Sequence, residues 1–112
     1  MDIKELLKMQ EDFEKVAFPD FLNIKNEEDF YNKLLFLGVA LSGEVGEFNN
    51  LIKKLYRSKF YKKENLENID EKIREEFIDI FIYLLTIAII LNIDIEKEFI
   101  KKLEINKKRF AK

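Results

Sequence analysis

Apolar residues recur along most of the chain at spacings of three and four, which is the period of an α-helix with one buried face. Asp2, Asn26 and Asp94 each stand where an N-cap would begin such a helix, and Asp2 with Glu5 has the spacing of a capping box. A polar connection from Ser58 to Asn68 separates the second and third helices. The four predicted helices run at about Ile3 to Ala17, Asn26 to Arg57, Ile69 to Leu91 and Ile95 to Phe110.

These helices predict an all-α protein, a four-helix bundle in one domain over residues 1–112. Three glycines and one proline leave little material for β-hairpins. The apolar stripe predicted for the first helix comprises Ile3, Leu6, Leu7, Phe13 and Val16.

The third helix is apolar on nearly every side. From Phe77 to Leu91 only Asp79 and Thr86 interrupt the apolar residues, and this stretch is shorter than the ~20 residues of a membrane span. We therefore expect a core helix and no membrane association. Three short amphipathic neighbours cannot cover such a helix, so its remaining face is expected to pack against a second copy, in a homodimer or homotetramer.

Composition removes several classes of function. The chain has 20 lysines and arginines against 22 aspartates and glutamates, so no general attraction to nucleic acid is expected. It has no cysteine and no histidine, which removes thiolate chemistry and the usual zinc ligands and general bases. The N-terminus does not have the pattern of a signal peptide, so a cytoplasmic location is expected.

Acidic residues on the second and third helices are the strongest candidates for chemistry. Glu44 falls within the apolar arc of the second helix, with Glu47 at its edge. Glu76 and Asp79 begin a polar stripe on the third helix that continues through Tyr83. An ionised carboxylate facing a core is costly unless it is paired or binds a metal, although Asp79 could instead form a structural ion pair. Four such acids facing one another would favour Mg²⁺, with Mn²⁺ as a substitute, and hence phosphate chemistry.

Basic residues could complement this acidic group. Lys102, Asn106 and Arg109 share one face of the fourth helix, where they could hold phosphate oxygens. Lys53 and Lys54 follow the first acidic pair and could be either solvated surface or phosphate contacts.

Two segments together resemble the motifs of the MazG-like nucleotide pyrophosphohydrolases. They are Ala-Leu-Ser-Gly-Glu-Val-Gly-Glu-Phe at 40–48 and Glu-Glu-Phe-Ile-Asp-Ile-Phe-Ile-Tyr-Leu-Leu at 75–85. The resemblance implies that Glu44, Glu47, Glu76 and Asp79 are catalytic Mg²⁺ ligands. It also implies that Lys102, Asn106 and Arg109 bind phosphates and that Tyr83 approaches the base or sugar. The implied reaction is hydrolysis of a nucleoside triphosphate to monophosphate and pyrophosphate, which would remove unwanted nucleotides from the pool.

Among relatives, the dCTP pyrophosphatase branch looks nearest, through Gly-Glu-Val-Gly-Glu and Asp-Ile-Phe-Ile-Tyr-Leu. Gly43 stands where many members carry another glutamate, so the number of metal ions stays open. Lys54 stands where that branch carries tryptophan, so the base stays open as well. The alternatives are a dUTPase-like or phosphoribosyl-ATP pyrophosphohydrolase relative, or a helical module that binds nucleotide without turnover.

Overall fold

A computed structural model describes residues 1–61 and 66–111 of the chain. It contains four α-helices: α1 (Ile3–Ala17), α2 (Glu27–Phe60), α3 (Ile69–Leu91) and α4 (Ile95–Arg109). No strand occurs in these described ranges, so the predicted all-α class is confirmed. The predicted polar connection was wrong at its start, because α2 continues through Ser58 to Phe60, and residues 62–65 of that connection lie outside the described residues.

The N-caps form where the sequence predicted them. Asp2 accepts a hydrogen bond from the backbone N–H of Glu5 at 2.9 Å, and the Glu5 side chain accepts one in return, which completes the capping box. Asn26 and Asp94 accept from the N–H three residues on, at 2.8 Å and 3.1 Å. Each bond satisfies one of the free N–H groups at a helix start and therefore fixes where the helix begins.

The chain divides into two compact units. One unit comprises Met1–Ile24 and Leu85–Lys112, and so contains α1, the end of α3 and α4. Its buried residues are Glu14, Leu85, Thr86 and Ala88. The other unit comprises Lys25–Leu84, and so contains α2 and the beginning of α3.

The apolar stripe predicted for α1 was partly wrong. Phe13 and Val16 are exposed, whereas Glu14 between them is buried. The Thr86 hydroxyl, 1% exposed, donates a hydrogen bond to Glu14 Oε1 at 2.7 Å. The covered face of α1 follows positions 3, 7, 10 and 14, so it includes polar residues that a search for apolar periodicity passes over.

Much of the apolar surface remains exposed. Large hydrophobic side chains are exposed on all four helices, and the buried hydrophobic residues of the described chain are Leu37, Leu85 and Ala88. Within the described residues, no helix alone has the length and apolar character of a membrane span. Only α3 and α4 taken together reach that threshold, and they are bent by 103° at the break between them.

Candidate metal centre

Three carboxylates from α2 and α3 converge within the unit formed by Lys25–Leu84. Each of Glu44, Glu47 and Glu76 offers one oxygen, and these oxygens lie within 4.8 Å of one another. Glu44 and Glu47 are three residues apart, which places them on neighbouring turns of the same side of α2. Glu76 approaches them from the second turn of α3. We call these three residues the acidic centre.

The surroundings leave two oxygens of the acidic centre without partners. The Oε2 atoms of Glu44 and Glu76 are buried and have no hydrogen-bond partner among the described residues. Buried carboxylate oxygens are normally satisfied by donors or bind a cation, because stripping water from them costs free energy. These two atoms therefore mark a place where a proton or a metal ion belongs.

The protonation of Glu76 also indicates that the acidic centre requires a proton or a metal ion. The pKa of Glu76 is raised to about 8, chiefly by a hydrogen bond with the carboxylate of Glu44, then by burial and by Glu47. Two carboxylates 4.8 Å apart repel by roughly 1 kcal/mol in water and 3.5 kcal/mol near a protein surface. Because Glu47 is exposed, its repulsion is nearer the smaller value. The centre therefore holds a positive ion or retains a proton.

This donor set fits a hard divalent cation. It offers only carboxylate oxygens from three side chains, whereas softer metals favour sulfur or imidazole ligands. Mg²⁺ commonly takes a few carboxylates and fills its remaining positions with water and substrate phosphates. The half-exposed setting of the centre leaves room for such ligands.

A cavity of about 300 Å³ adjoins the acidic centre. Its lining comprises Glu47, Asn50, Leu51, Lys54, Lys72, Glu75 and Glu76. Two ammonium groups and one amide thus border two members of the centre. Such donors can bind phosphate oxygens beside a bound cation.

Asn50 and Lys72 were not predicted from the sequence. Asn50 follows Glu47 by three residues and Lys72 precedes Glu76 by four, so helical spacing from the acids would have found both. Lys54, which was predicted, also borders the cavity, whereas Lys53 lies outside its lining, and both side chains are exposed.

The other predicted site residues are placed as follows. Asp79 and Tyr83 are half-buried on α3, one and two turns beyond Glu76, and Asp79 is not a member of the acidic centre. On α4, in the other unit, Asn106 is half-buried and Lys102 and Arg109 are exposed. The roles of these five residues stay predictions.

Comparison with known families narrows the choice of family that the sequence left open. A family model described as dUTPase matches the chain over residues 2–112. The chain belongs to this dUTPase family. No curated protein and no solved structure matches it.

The dUTPase family lies within the all-α MazG-like nucleotide pyrophosphatase superfamily, so the predicted resemblance is confirmed at that level. The match does not single out the dCTP pyrophosphatase branch, and it favours the dUTPase-like alternative. Membership of the dUTPase family implies a hydrolase that acts on nucleoside triphosphates. Members typically depend on a divalent metal, and the acidic centre is where this chain could bind one.

Proposed function

We propose that the protein hydrolyses dUTP to dUMP and pyrophosphate in a reaction that depends on Mg²⁺, with Mn²⁺ as a substitute. The observation that carries the proposal is the convergence of Glu44, Glu47 and Glu76 in a chain that matches the dUTPase family from residue 2 to 112. Removal of dUTP from the nucleotide pool in the cytoplasm is the physiological role that this activity would serve.

The acidic centre would hold the cation, with Asp79 as the proposed fourth carboxylate. A cation bound there would neutralise phosphate charge and acidify a bound water. In the overall reaction a water oxygen would bond to the α-phosphorus, the bond from that phosphorus to the α–β bridging oxygen would break, pyrophosphate would leave and the proton of the water would pass to solvent.

The cavity lining would position the substrate. Lys54 and Lys72 would contact phosphate oxygens, and the Asn50 amide would donate a hydrogen bond to another. These contacts orient the triphosphate so that the α-phosphorus lies next to the acidic centre. Negative charge that develops on the leaving pyrophosphate is then stabilised by groups that are already in place.

Further substrate contacts are proposed from the sequence motifs alone. Lys102, Asn106 and Arg109 on α4 would add phosphate contacts, and Tyr83 would approach the base or sugar. Lys53 would act as a weaker phosphate contact because it lies outside the cavity lining.

A panel of nucleotides tests the proposal. dUTP, dCTP, dTTP, dATP and UTP are incubated with the protein, with and without Mg²⁺, and products are identified by phosphorus NMR. We expect dUTP to give the highest kcat/KM and pyrophosphate as the product, and no turnover without the metal. Release of orthophosphate, or hydrolysis that does not need metal, would contradict the proposal.

Two matched substitutions distinguish the loss of a proposed metal ligand from a general effect on the fold. Glu47→Gln should lower kcat for dUTP at least a hundredfold, because one carboxylate ligand is lost. Glu71→Gln, at an exposed glutamate on α3, should leave kcat within about twofold of the unaltered protein. If the unaltered protein binds dUTP but turns over no nucleotide, the helical module without catalysis is the correct alternative.

A further inference from the structure

Basic charge is concentrated at the end of α2 and just after it. No acidic residue occurs in the sequence between Glu47 and Glu64, and six of the 20 lysines and arginines of the chain lie in this interval. They are Lys53, Lys54, Arg57, Lys59, Lys62 and Lys63, of which the last two lie outside the described residues. The net charge of -2 predicts no general attraction to nucleic acid, but this segment by itself attracts phosphate groups.

Three exposed aromatic rings lie among these cations. Tyr56, Phe60 and Tyr61 are 54%, 64% and 78% exposed. The centroid of the Tyr56 ring is 4.9 Å from that of Phe60 and 5.9 Å from that of Tyr61, so the three rings form one continuous surface. A contiguous aromatic surface that faces water is uncommon on a protein and marks a place where another molecule binds.

Helical geometry places rings and cations on the same side of α2. At 100° per residue, four exposed residues fall within an arc of about 100°: Lys53, Tyr56, Arg57 and Phe60. The half-buried Leu51 lies on the opposite side of the helix, which is therefore the side that the fold covers. We call these four exposed residues, together with Tyr61, the basic–aromatic face.

The basic–aromatic face is distinct from the proposed substrate cavity. None of its five residues lines the cavity beside the acidic centre. The α2 residues that do line this cavity, such as Asn50 and Lys54, lie on a neighbouring side of the helix. The face is therefore a second surface and not an extension of the cavity.

The chemistry of the basic–aromatic face indicates the kind of partner. A single-stranded nucleic acid presents phosphates to cations and unpaired flat bases to aromatic rings. A duplex keeps its bases stacked inside, and an acidic peptide offers charge without flat rings. A helix that lies on a membrane keeps its apolar residues on the side opposite to its cations, whereas here they share one side. A second copy of this face would bring like charges together.

We propose that the basic–aromatic face binds single-stranded nucleic acid, either DNA or RNA. Bases stack on the three rings, while Lys53, Arg57 and Lys59 contact phosphates along the strand. This binding is separate from the proposed hydrolysis of dUTP. It is therefore tested with oligonucleotides that carry no triphosphate, in buffer without Mg²⁺.

Fluorescence anisotropy of a labelled oligothymidylate of about 20 nucleotides measures the affinity. Three phosphate contacts predict that Kd rises about 20-fold between roughly 50 and 200 mM salt. Tyr56→Ala and Phe60→Ala should each raise Kd about tenfold, because a base loses the ring on which it stacks. Phe99→Ala removes a ring on α4 that is 66% exposed, and as the control it should leave Kd unchanged. Circular dichroism checks that each variant keeps its helices.

Competition against the labelled strand distinguishes the possible partners. We expect unlabelled oligothymidylate and oligouridylate to displace it at least tenfold more effectively than a DNA duplex of the same length. Polyglutamate and vesicles that contain phosphatidylserine should not displace it. Equal competition by the duplex, or alanine variants with unaltered Kd, would show attraction by charge alone and overturn the proposal. Displacement by the vesicles would identify a membrane surface as the partner instead, and no binding at about 50 mM salt would also refute the proposal.

Discussion

We expect Glu76 to control how metal binding at the acidic centre depends on pH. Its pKa of about 8 means that the metal-free protein keeps a proton on this carboxyl near neutrality, held by the carboxylate of Glu44 and by burial. A cation can use Glu76 as a ligand only after that proton leaves. Glu76→Gln keeps the shape of the side chain and removes its proton equilibrium. The variant therefore isolates this one effect.

The expected size of the pH effect on Mg²⁺ affinity follows from the pKa of Glu76. A carboxyl with a pKa of about 8 is roughly 1% ionised at pH 6 and half ionised at pH 8, so the apparent affinity for Mg²⁺ should rise about 50-fold between them. Glu76→Gln should bind Mg²⁺ more weakly at pH 8, and its affinity should show almost no dependence on pH.

The unfolded chain releases the Glu76 proton near pH 4.5, at a lower pH than the folded chain. The free energy of unfolding of the metal-free protein therefore falls as pH rises from 4.5 through 8.

Titration calorimetry at pH 7 in two buffers of different ionisation enthalpy counts the protons released. We expect about 0.9 proton per Mg²⁺ bound to the unaltered protein and none for Glu76→Gln. Glu71→Gln serves as the control and should release the same number as the unaltered protein. Equal proton release by the unaltered protein and Glu76→Gln, or an affinity that is constant from pH 6 to 8, would refute the reasoning.

Three further substitutions probe other parts of the structure. Thr86→Val removes the donor to buried Glu14 and should lower the free energy of unfolding by about 1–3 kcal/mol in urea melts. Thr86→Ser keeps the hydroxyl donor and should therefore retain most of that free energy of unfolding. Equal stability of Thr86→Val and Thr86→Ser would contradict the contribution of this hydrogen bond. Asn26→Ala removes the α2 cap and should cost about 1 kcal/mol in the same assay, and no change would show that the cap is dispensable. Lys72→Ala should raise KM for dUTP about tenfold with little change in kcat, because a phosphate contact is lost. The control Lys59→Ala should change neither constant. Equal KM values for Lys72→Ala and the unaltered protein would show that Lys72 does not contact the substrate.

The helices could be predicted because local interactions decide them. Apolar periodicity and the caps Asp2, Asn26 and Asp94 operate within a few residues, and all four helices form where these signals stand. The grouping of Glu44, Glu47 and Glu76 was also predictable, since carboxylates on otherwise apolar helix faces need partners.

Other features depend on how helices meet. Glu14 lies among charged residues on α1, and only its contact with Thr86 shows that it is buried. Lys72 shares a face of α3 with Glu76, which helical spacing could predict, but the cavity that it borders forms only because α3 runs beside α2 there, and the sequence does not specify that relation. The exposure of Leu35, Phe36 and Val39 on α2 could not be predicted, because apolar residues also occupy the side of this helix that carries the buried Leu37.

The most direct measurement is anomalous diffraction from crystals of the protein soaked with Mn²⁺. The structure predicts a single strong peak or a close pair of peaks between Glu44, Glu47 and Glu76, within about 2.3 Å of their oxygens. A Glu76→Gln crystal treated in the same way should show a weaker peak. Absence of a peak at the acidic centre, or a peak held by other side chains, would contradict the assignment of this centre as the metal site.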